Sequence, residues 1–160
     1  MPVDQSLLFD AEELVMEVFS IKDRKKLFLS ASVKQDIFAF KNAGIESASY
    51  WCYIKEGKLI GITGIYTLIG DEIGRCWLGW FCVDRRFRKN GYGKRMLEWS
   101  EEKAINMGKK VLSLYSYRYK KYQKALSLYE SSGYTVMQKE SSKYKRKIYL
   151  EKVLRTEKVK

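Results

Sequence analysis

Histidine is absent from this 160-residue chain. That absence excludes Ser-His-Asp and Cys-His catalysis and nearly all catalytic zinc chemistry, which use an imidazole as base or ligand. Proline occurs once, at Pro2, so there is no proline-rich linker or polyproline arm. The three cysteines, Cys52, Cys76 and Cys82, are odd in number and form no C-x-x-C pair. Neither a disulfide framework nor a metal site is expected, and this usage suits a reducing compartment. Long apolar runs are missing too. The longest uncharged stretch, Leu59 to Gly70, is twelve residues, too short to cross a bilayer. Met1-Pro2-Val3-Asp4 lacks the basic and apolar segments of an export signal. The expectation is a soluble cytoplasmic protein with no membrane partner and, at this length, a single domain over 1–160.

Positive charge is abundant and unevenly placed. The chain carries a net +12, yet residues 1–80 hold 9 Lys/Arg against 11 Asp/Glu, and residues 81–160 hold 22 against 8. A half-chain at net +14 suits a polyanionic partner, either nucleic acid or a small phosphorylated cofactor, or else a solvated basic surface.

Residues 10–20 read as a short helix with Asp10 as N-cap, Glu13 completing a capping box, and Leu14, Val15, Val18 and Phe19 as the apolar face. A second helical stretch is expected over residues 24–40. Three β-branched and aromatic runs follow, 49–55, 59–68 and 73–83, with Glu56-Gly57-Lys58 and Gly70-Asp71-Glu72 as turns; they predict an antiparallel meander. In the third run, strict alternation puts Cys76, Leu78, Trp80 and Cys82 on one face and Trp77, Gly79, Phe81 and Val83 on the other. Both faces are apolar, which places this strand inside the sheet with cover on each side. Further elements are a helix over 92–107 stopped at Gly108, a strand over 110–116, a helix over 122–132 ended by Gly133, and closing strands over 134–137 and 147–153 around a polar turn.

The chemistry concentrates where the third strand ends: Val83-Asp84-Arg85-Arg86-Phe87-Arg88-Lys89-Asn90-Gly91-Tyr92-Gly93-Lys94. A strand, a short loop and two spaced glycines opening a helix present unpaired N–H groups and a positive dipole end to solvent. Gly91 and Gly93 keep side chains away from that backbone, and Arg88, Lys89 and Lys94 add full charges, which makes a phosphate cradle. A dinucleotide fingerprint requires a third glycine where Met96 stands. A Walker loop requires Gly at Arg88 and Ser or Thr at Arg95. An RNA-recognition motif would continue as a strand, whereas Lys94-Arg95-Met96-Leu97 continues a helix.

The stretch Arg88-Lys89-Asn90-Gly91-Tyr92-Gly93 resembles the Arg/Gln-x-x-Gly-x-Gly/Ala motif of the GNAT-type N-acetyltransferase superfamily, and Ala125-x-x-Leu128-Tyr129-Glu130-x-x-Gly133-Tyr134 is similar to that family's later Ala-x-x-apolar-Tyr-Glu-x-x-Gly-Phe pattern. The resemblance covers roughly residues 49–154. It implies a mixed α/β (α+β) GNAT-like fold: a mainly antiparallel sheet of six to seven strands, helices on both faces, a cofactor-binding core over 49–154 and a helical acceptor-side region over 1–48. It implies that the backbone of Phe81 and Val83 holds the pantetheine arm of acetyl-CoA, and that N–H groups from Arg88 through Lys94 (Lys89, Asn90, Gly91, Tyr92 and Gly93 between them) take the pyrophosphate. It further implies that Tyr129 protonates the departing CoA thiolate. Thiol and phenol pKa values of about 8.5 and 10 make that proton transfer uphill by only about 1.5 units.

Three positions depart from the family pattern. Tyr122 stands where an Asn is common, Arg85 replaces a loop Pro, and the strand 75–83 has no carboxylate to serve as general base. Tyr122 and Tyr129, seven apart, are expected on one helix face, with Tyr122 toward the cofactor arm. Neutralising a lysine-like amine at pH 7 costs about 4.6 kcal/mol against about 1 for an α-amine near 7.8, so a missing base favours acceptors of low pKa. The expected activity is direct transfer from acetyl-CoA to a small-molecule or peptide amine with no covalent enzyme intermediate. The alternative is a non-catalytic nucleic-acid-binding module. The segment 115–124 (YSYRYKKYQK) fits either a single-strand nucleic-acid surface or a strand end with a CoA-facing loop. The last strand, 147–153, is a candidate for pairing across a homodimer.

Overall fold

The computed structural model describes residues 1–137 and 146–155. Strands β1 (Ile45–Lys55), β2 (Lys58–Leu68), β3 (Arg75–Val83), β4 (Val111–Tyr117), β5 (Thr135–Val136) and β6 (Lys147–Val153) form one sheet in the order β1-β2-β3-β4-β6-β5. The first three make the expected meander. Its hairpin turn is Glu56-Gly57, at φ 52° and 74°, the left-handed pair whose twist suits a two-residue connection. Helix α4 (Tyr92–Asn106) carries the chain from β3 over to β4, which runs parallel to it, and the remaining pairs are antiparallel.

Helices cover both faces. Helices α1 (Leu8–Phe19), α2 (Leu29–Lys34) and α3 (Ile37–Asn42), with the 3-10 turn Arg24–Leu27, pack on one side through Ala11, Leu14, Val15, Leu27, Leu29 and Phe40. Helices α4 and α5 (Gln123–Ser131) pack on the other through Leu97, Ala104, Leu126 and Tyr129. A buried hydrogen bond, Thr63 Oγ1 to Ser100 Oγ at 2.7 Å, pins α4 to β2; such a bond is worth about 1 kcal/mol net, and more if one partner is removed.

The helical region before β1 differs from the sequence expectation. Asp10 lies inside the first turn of α1. The chain enters through Asp4 instead, whose Oδ1 accepts from the N–H groups of Ser6 and Leu7 at 2.9 and 3.1 Å. The stretch 24–40 is broken at Phe28 and Gln35, both left-handed at φ 58° and 51°. Leu27 and Leu29 explain the break. Both are fully buried, and positions two apart point to nearly opposite sides of a continuous helix. Strand β6, expected to be available for pairing across a dimer, is instead bonded on both edges within its own sheet, to β4 and β5. The polar turn expected before it falls on residues 138–145, outside the described residues. No helix among the described residues is long and apolar enough to cross a membrane.

Candidate active site

The site begins with a fault in β3. Ile62 pairs with Cys82 but Gly64 pairs with Gly79, so Trp80 and Phe81 together oppose Thr63. This β-bulge holds Trp80 at φ 44°, a conformation a bulky side chain rarely adopts. It overturns the strict alternation expected from the sequence. Cys76 and Leu78 sit in the α4–α5 core, whereas Cys82 sits in the α1–α3 core with Trp80 packed against it, and Phe81 packs on the α5 side. Trp80 is held by its indole N–H, which donates to the Leu27 carbonyl at 2.7 Å.

Just before the bulge, β3 and β4 part. Their parallel ladder covers only Arg75–Trp77 against Val111–Ser113. From Leu78 to Val83, β3 therefore has no strand partner on its β4 side among the described residues. An open strand edge offers N–H and C=O groups to an extended ligand chain.

Tyr129 of α5 lies under this opening. Its ring is 6.0 Å from that of Phe81 and 5.9 Å from that of Tyr134, centroid to centroid. The residue is buried, yet its hydroxyl has no hydrogen-bond partner among the described residues. No described side-chain oxygen or nitrogen is both fully buried and unpartnered, so the Tyr129 hydroxyl reaches solvent. Burial, with the Cys82 thiol nearby, pushes the phenol well above its ordinary range, which keeps it protonated at neutral pH. The cysteines are no nucleophiles: burial pushes Cys52 and Cys76 up to about 11 and Cys82 to about 12.

The basic loop follows directly. Asp84 organises its first half by accepting from the Arg86 N–H and guanidinium. Phe87 N–H donates to the Asp84 carbonyl at 2.9 Å, and Arg88 N–H to Arg85 at 3.4 Å. Arg88 N–H is thus engaged, and its side-chain Nε folds back onto the Val83 carbonyl at 3.0 Å. The next bonded amide is Arg95, to Gly91. Six successive N–H groups, Lys89, Asn90, Gly91, Tyr92, Gly93 and Lys94, have no partner among the described residues. Left-handed Lys89 and Gly91, at φ 66° and 77°, flank Asn90 and curl this stretch into a concavity at the N-terminus of the fifteen-residue α4. The Asn90 amide braces it on the Phe87 and Arg88 carbonyls. A Cβ at Gly93 would meet Leu128 at 3.4 Å, and one at Gly91 would meet nothing within 4 Å. Gly91 is therefore required for its backbone angle and not for want of room.

Tyr122 is not on α5 but in the 3-10 turn before it. It does not share a helix face with Tyr129; its ring meets Phe19 of α1 at 6.1 Å. Neither the bulge nor this contact has a local sequence signal. A separate depression of about 950 Å³, lined by Asp10, Glu13, Glu17, Lys58, Asp84, Arg86 and other residues of α1 and the loop, does not include Tyr129.

The chain matches the model of the acetyltransferase (GNAT) family over residues 12–134, which reaches back into α1, well before residue 49. It finds no match among the curated proteins. Among solved structures, an acetyltransferase of the GNAT family from Staphylococcus aureus Mu50 superposes with a TM-score of 0.70 at 16% identity, over 97% of this chain and 98% of that one. An aminoglycoside 6'-N-acetyltransferase complexed with coenzyme A gives 0.67 at 15%, over 95% and 93%. The PaiA N-acetyltransferase of Thermoplasma acidophilum in complex with coenzyme A gives 0.60 at 16%, over 93% and 91%. At such identities the likeness is one of fold. The family match, spanning most of the chain, is one of kinship: the chain belongs to the acetyltransferase (GNAT) family.

Proposed function

We propose that this chain is an acetyl-CoA-dependent N-acetyltransferase that moves the acetyl group directly to an amine, with Tyr129 as the proton donor to the leaving thiolate. One observation carries the reading. Six unpartnered N–H groups at the start of α4, the open edge of β3 and the solvent-reaching Tyr129 hydroxyl adjoin one another around the end of a single strand. The coenzyme A complexes of two proteins of the same fold support the choice of ligand.

In this reading, residues 89–94 take the pyrophosphate through their N–H groups and the α4 dipole. The backbone of Phe81 and Val83 pairs with the pantetheine arm as an added strand would. Backbone N–H groups at the end of β3 stabilise the charge that develops on the thioester oxygen. The neutral amine attacks the carbonyl carbon and gives up a proton to water, the C–S bond breaks, and Tyr129 donates its phenolic proton to the sulfur and is later reprotonated from water. Tyr122 borders the cofactor arm from the α1 side, where its ring already meets Phe19. The acceptor is a small-molecule or peptide amine, and β3 contributes no carboxylate to deprotonate it.

The test is to incubate the chain with acetyl-CoA and a mixture of amines while following release of free CoA thiol and the acetylated product by mass. Release above the spontaneous rate, with the acetyl group on nitrogen, is expected. Tight binding of single-stranded RNA without any acetyl transfer contradicts it.

A further inference from the structure

Eight aromatic rings form a continuous circuit that starts and ends on β3. From Trp77 it passes to Tyr149 (6.2 Å), Tyr115 (6.2 Å), Tyr117 (6.3 Å), Tyr119 (5.7 Å), Tyr122 (6.5 Å), Phe19 (6.1 Å) and back to Trp80 at the bulge (5.2 Å), all centroid to centroid. The circuit draws on α1, β3, β4, β6 and the turn before α5, and so frames the place where β3 and β4 part, on the face opposite α4. Tyr115 and Tyr119 expose more than two-fifths of their surface.

Tyr50 supplies a hydroxyl beside the same bulge. Its ring lies so close over β2 that a Cβ at Gly64 would sit 2.2 Å from Tyr50 Cδ1, and its hydroxyl is 3.6 Å from where a Cβ of Gly79 would be. The Tyr50 and Tyr66 hydroxyls have no hydrogen-bond partner among the described residues and, as for Tyr129, are not sealed from solvent. Both are neutral groups, since burial raises both phenols far above their ordinary range.

Cations line one side of this frame. Lys147 Nζ lies 4.2 Å from the centre of the Tyr115 ring and 5.2 Å from that of Tyr149; Arg146 sits over Tyr119 at 5.4 Å and Lys121 over Tyr122 at 4.8 Å. At the β3 end Asp71 accepts the Trp77 indole N–H, and Glu151, two residues from Tyr149 on β6, is paired with Arg75. On Tyr115, Tyr149, Tyr119 and Tyr122 a ring face that would attract a cationic ligand is thus already occupied by one of the protein's own cations, and a polyamine would meet like charge there.

Resting on the acetyl-transfer reading above, we infer that the acceptor is an aromatic amine that carries a carboxylate, the aromatic α-amino acids being its simplest members. The flat body stacks within the ring circuit, and Lys147 at the start of β6 pairs with the carboxylate. Lys147 then sets specificity by touching the substrate, and the basic half of the chain serves the acceptor as well as the phosphates.

The experiment has two arms on the full chain. Acetyl-CoA binding is measured by calorimetry without any acceptor; no binding overturns the acetyl-transfer reading and this inference with it. Given binding, turnover is compared for tyrosine and tryptophan, for tyramine and tryptamine, and for spermidine and lysine. The expectation is a kcat/KM for the two amino acids at least tenfold above their decarboxylated amines, with spermidine and lysine lowest. Lys147→Gln is expected to raise KM for tyrosine about tenfold at unchanged kcat while leaving tyramine unaffected, and Lys147→Arg to restore KM. Preference for spermidine or lysine, equal use of tyrosine and tyramine, equal loss on both in Lys147→Gln, or no turnover of any panel member despite acetyl-CoA binding overturns the inference alone.

Discussion

The Phe81 and Tyr129 rings lie 6.0 Å apart, centroid to centroid, so Tyr129, the proposed proton donor, is seated on the residue directly after the bulge residue Trp80. The fault in β3 does two jobs at once. It ends the alternation that would bury Phe81 on the α1 side, and it brings Phe81 onto the helix that carries the hydroxyl. Tyr129→Phe keeps the ring contact and removes only the unpartnered oxygen. It is expected to lower turnover at least tenfold with little change in acetyl-CoA affinity or thermal midpoint. Unchanged turnover contradicts the assignment.

Gly91 separates backbone strain from charge. Its φ of 77° is one an L side chain adopts at a cost of about 1–2 kcal/mol, while a Cβ there finds open space. Gly91→Ala is expected to lower stability by about that amount and weaken acetyl-CoA modestly. Gly91→Glu adds a negative charge beside the six free N–H groups and is expected to weaken acetyl-CoA by at least tenfold more than Gly91→Ala does. Equal affinities for the two variants, measured by calorimetry, contradict a phosphate site at this loop.

Gly64 reports on the seat of Tyr50. A Cβ there cannot coexist with the Tyr50 ring at 2.2 Å, so Gly64→Ala must displace the ring or the strand. Overpacking of this kind costs about 1–3 kcal/mol, seen as a fall of several degrees in the thermal midpoint. Tyr50→Leu combined with Gly64→Ala is expected to recover part of the loss, and an additive loss contradicts the contact.

Alkaline pH is expected to destabilise the fold. Thiols of the unfolded chain ionise near pH 9, whereas folded Cys52 and Cys76 ionise near 11 and Cys82 near 12. Between these values the unfolded chain has released protons the folded chain retains, so stability falls as pH rises, by at most about 1.4 kcal/mol per thiol per pH unit. Tyr50, Tyr66, Tyr129 and Tyr134, all raised by burial, add to the slope above pH 10. Urea midpoints should be level between pH 7 and 8 and fall steadily above 9, less steeply in Cys82→Ala. A flat profile to pH 10.5 contradicts the burial of these groups.

Much of the fold is legible in the residues because its signals are local. Glu56-Gly57 marks the hairpin, two apolar faces mark β3 as interior, and Gly91-Tyr92-Gly93 marks the junction with α4. What is not legible depends on long-range packing. A one-residue bulge at Trp80 leaves the alternation of apolar residues looking unbroken, yet it moves Cys82 to the opposite core. Phe28 and Gln35 turn left-handed with no glycine to announce it, because Leu27 and Leu29 must both be buried. The aromatic circuit is illegible for the same reason. Phe19, Trp80, Tyr119 and Tyr149 lie in four segments, and only the closed sheet brings them into one frame.

The most direct measurement is a calorimetric titration of the full chain with acetyl-CoA at low and at high salt. One site of micromolar affinity, largely retained at high salt and lost in Gly91→Glu, is the predicted result, because fixed N–H groups and strand pairing hold the ligand along with surface charge. No binding, or binding that vanishes at high salt and is indifferent to Gly91→Glu, would contradict it.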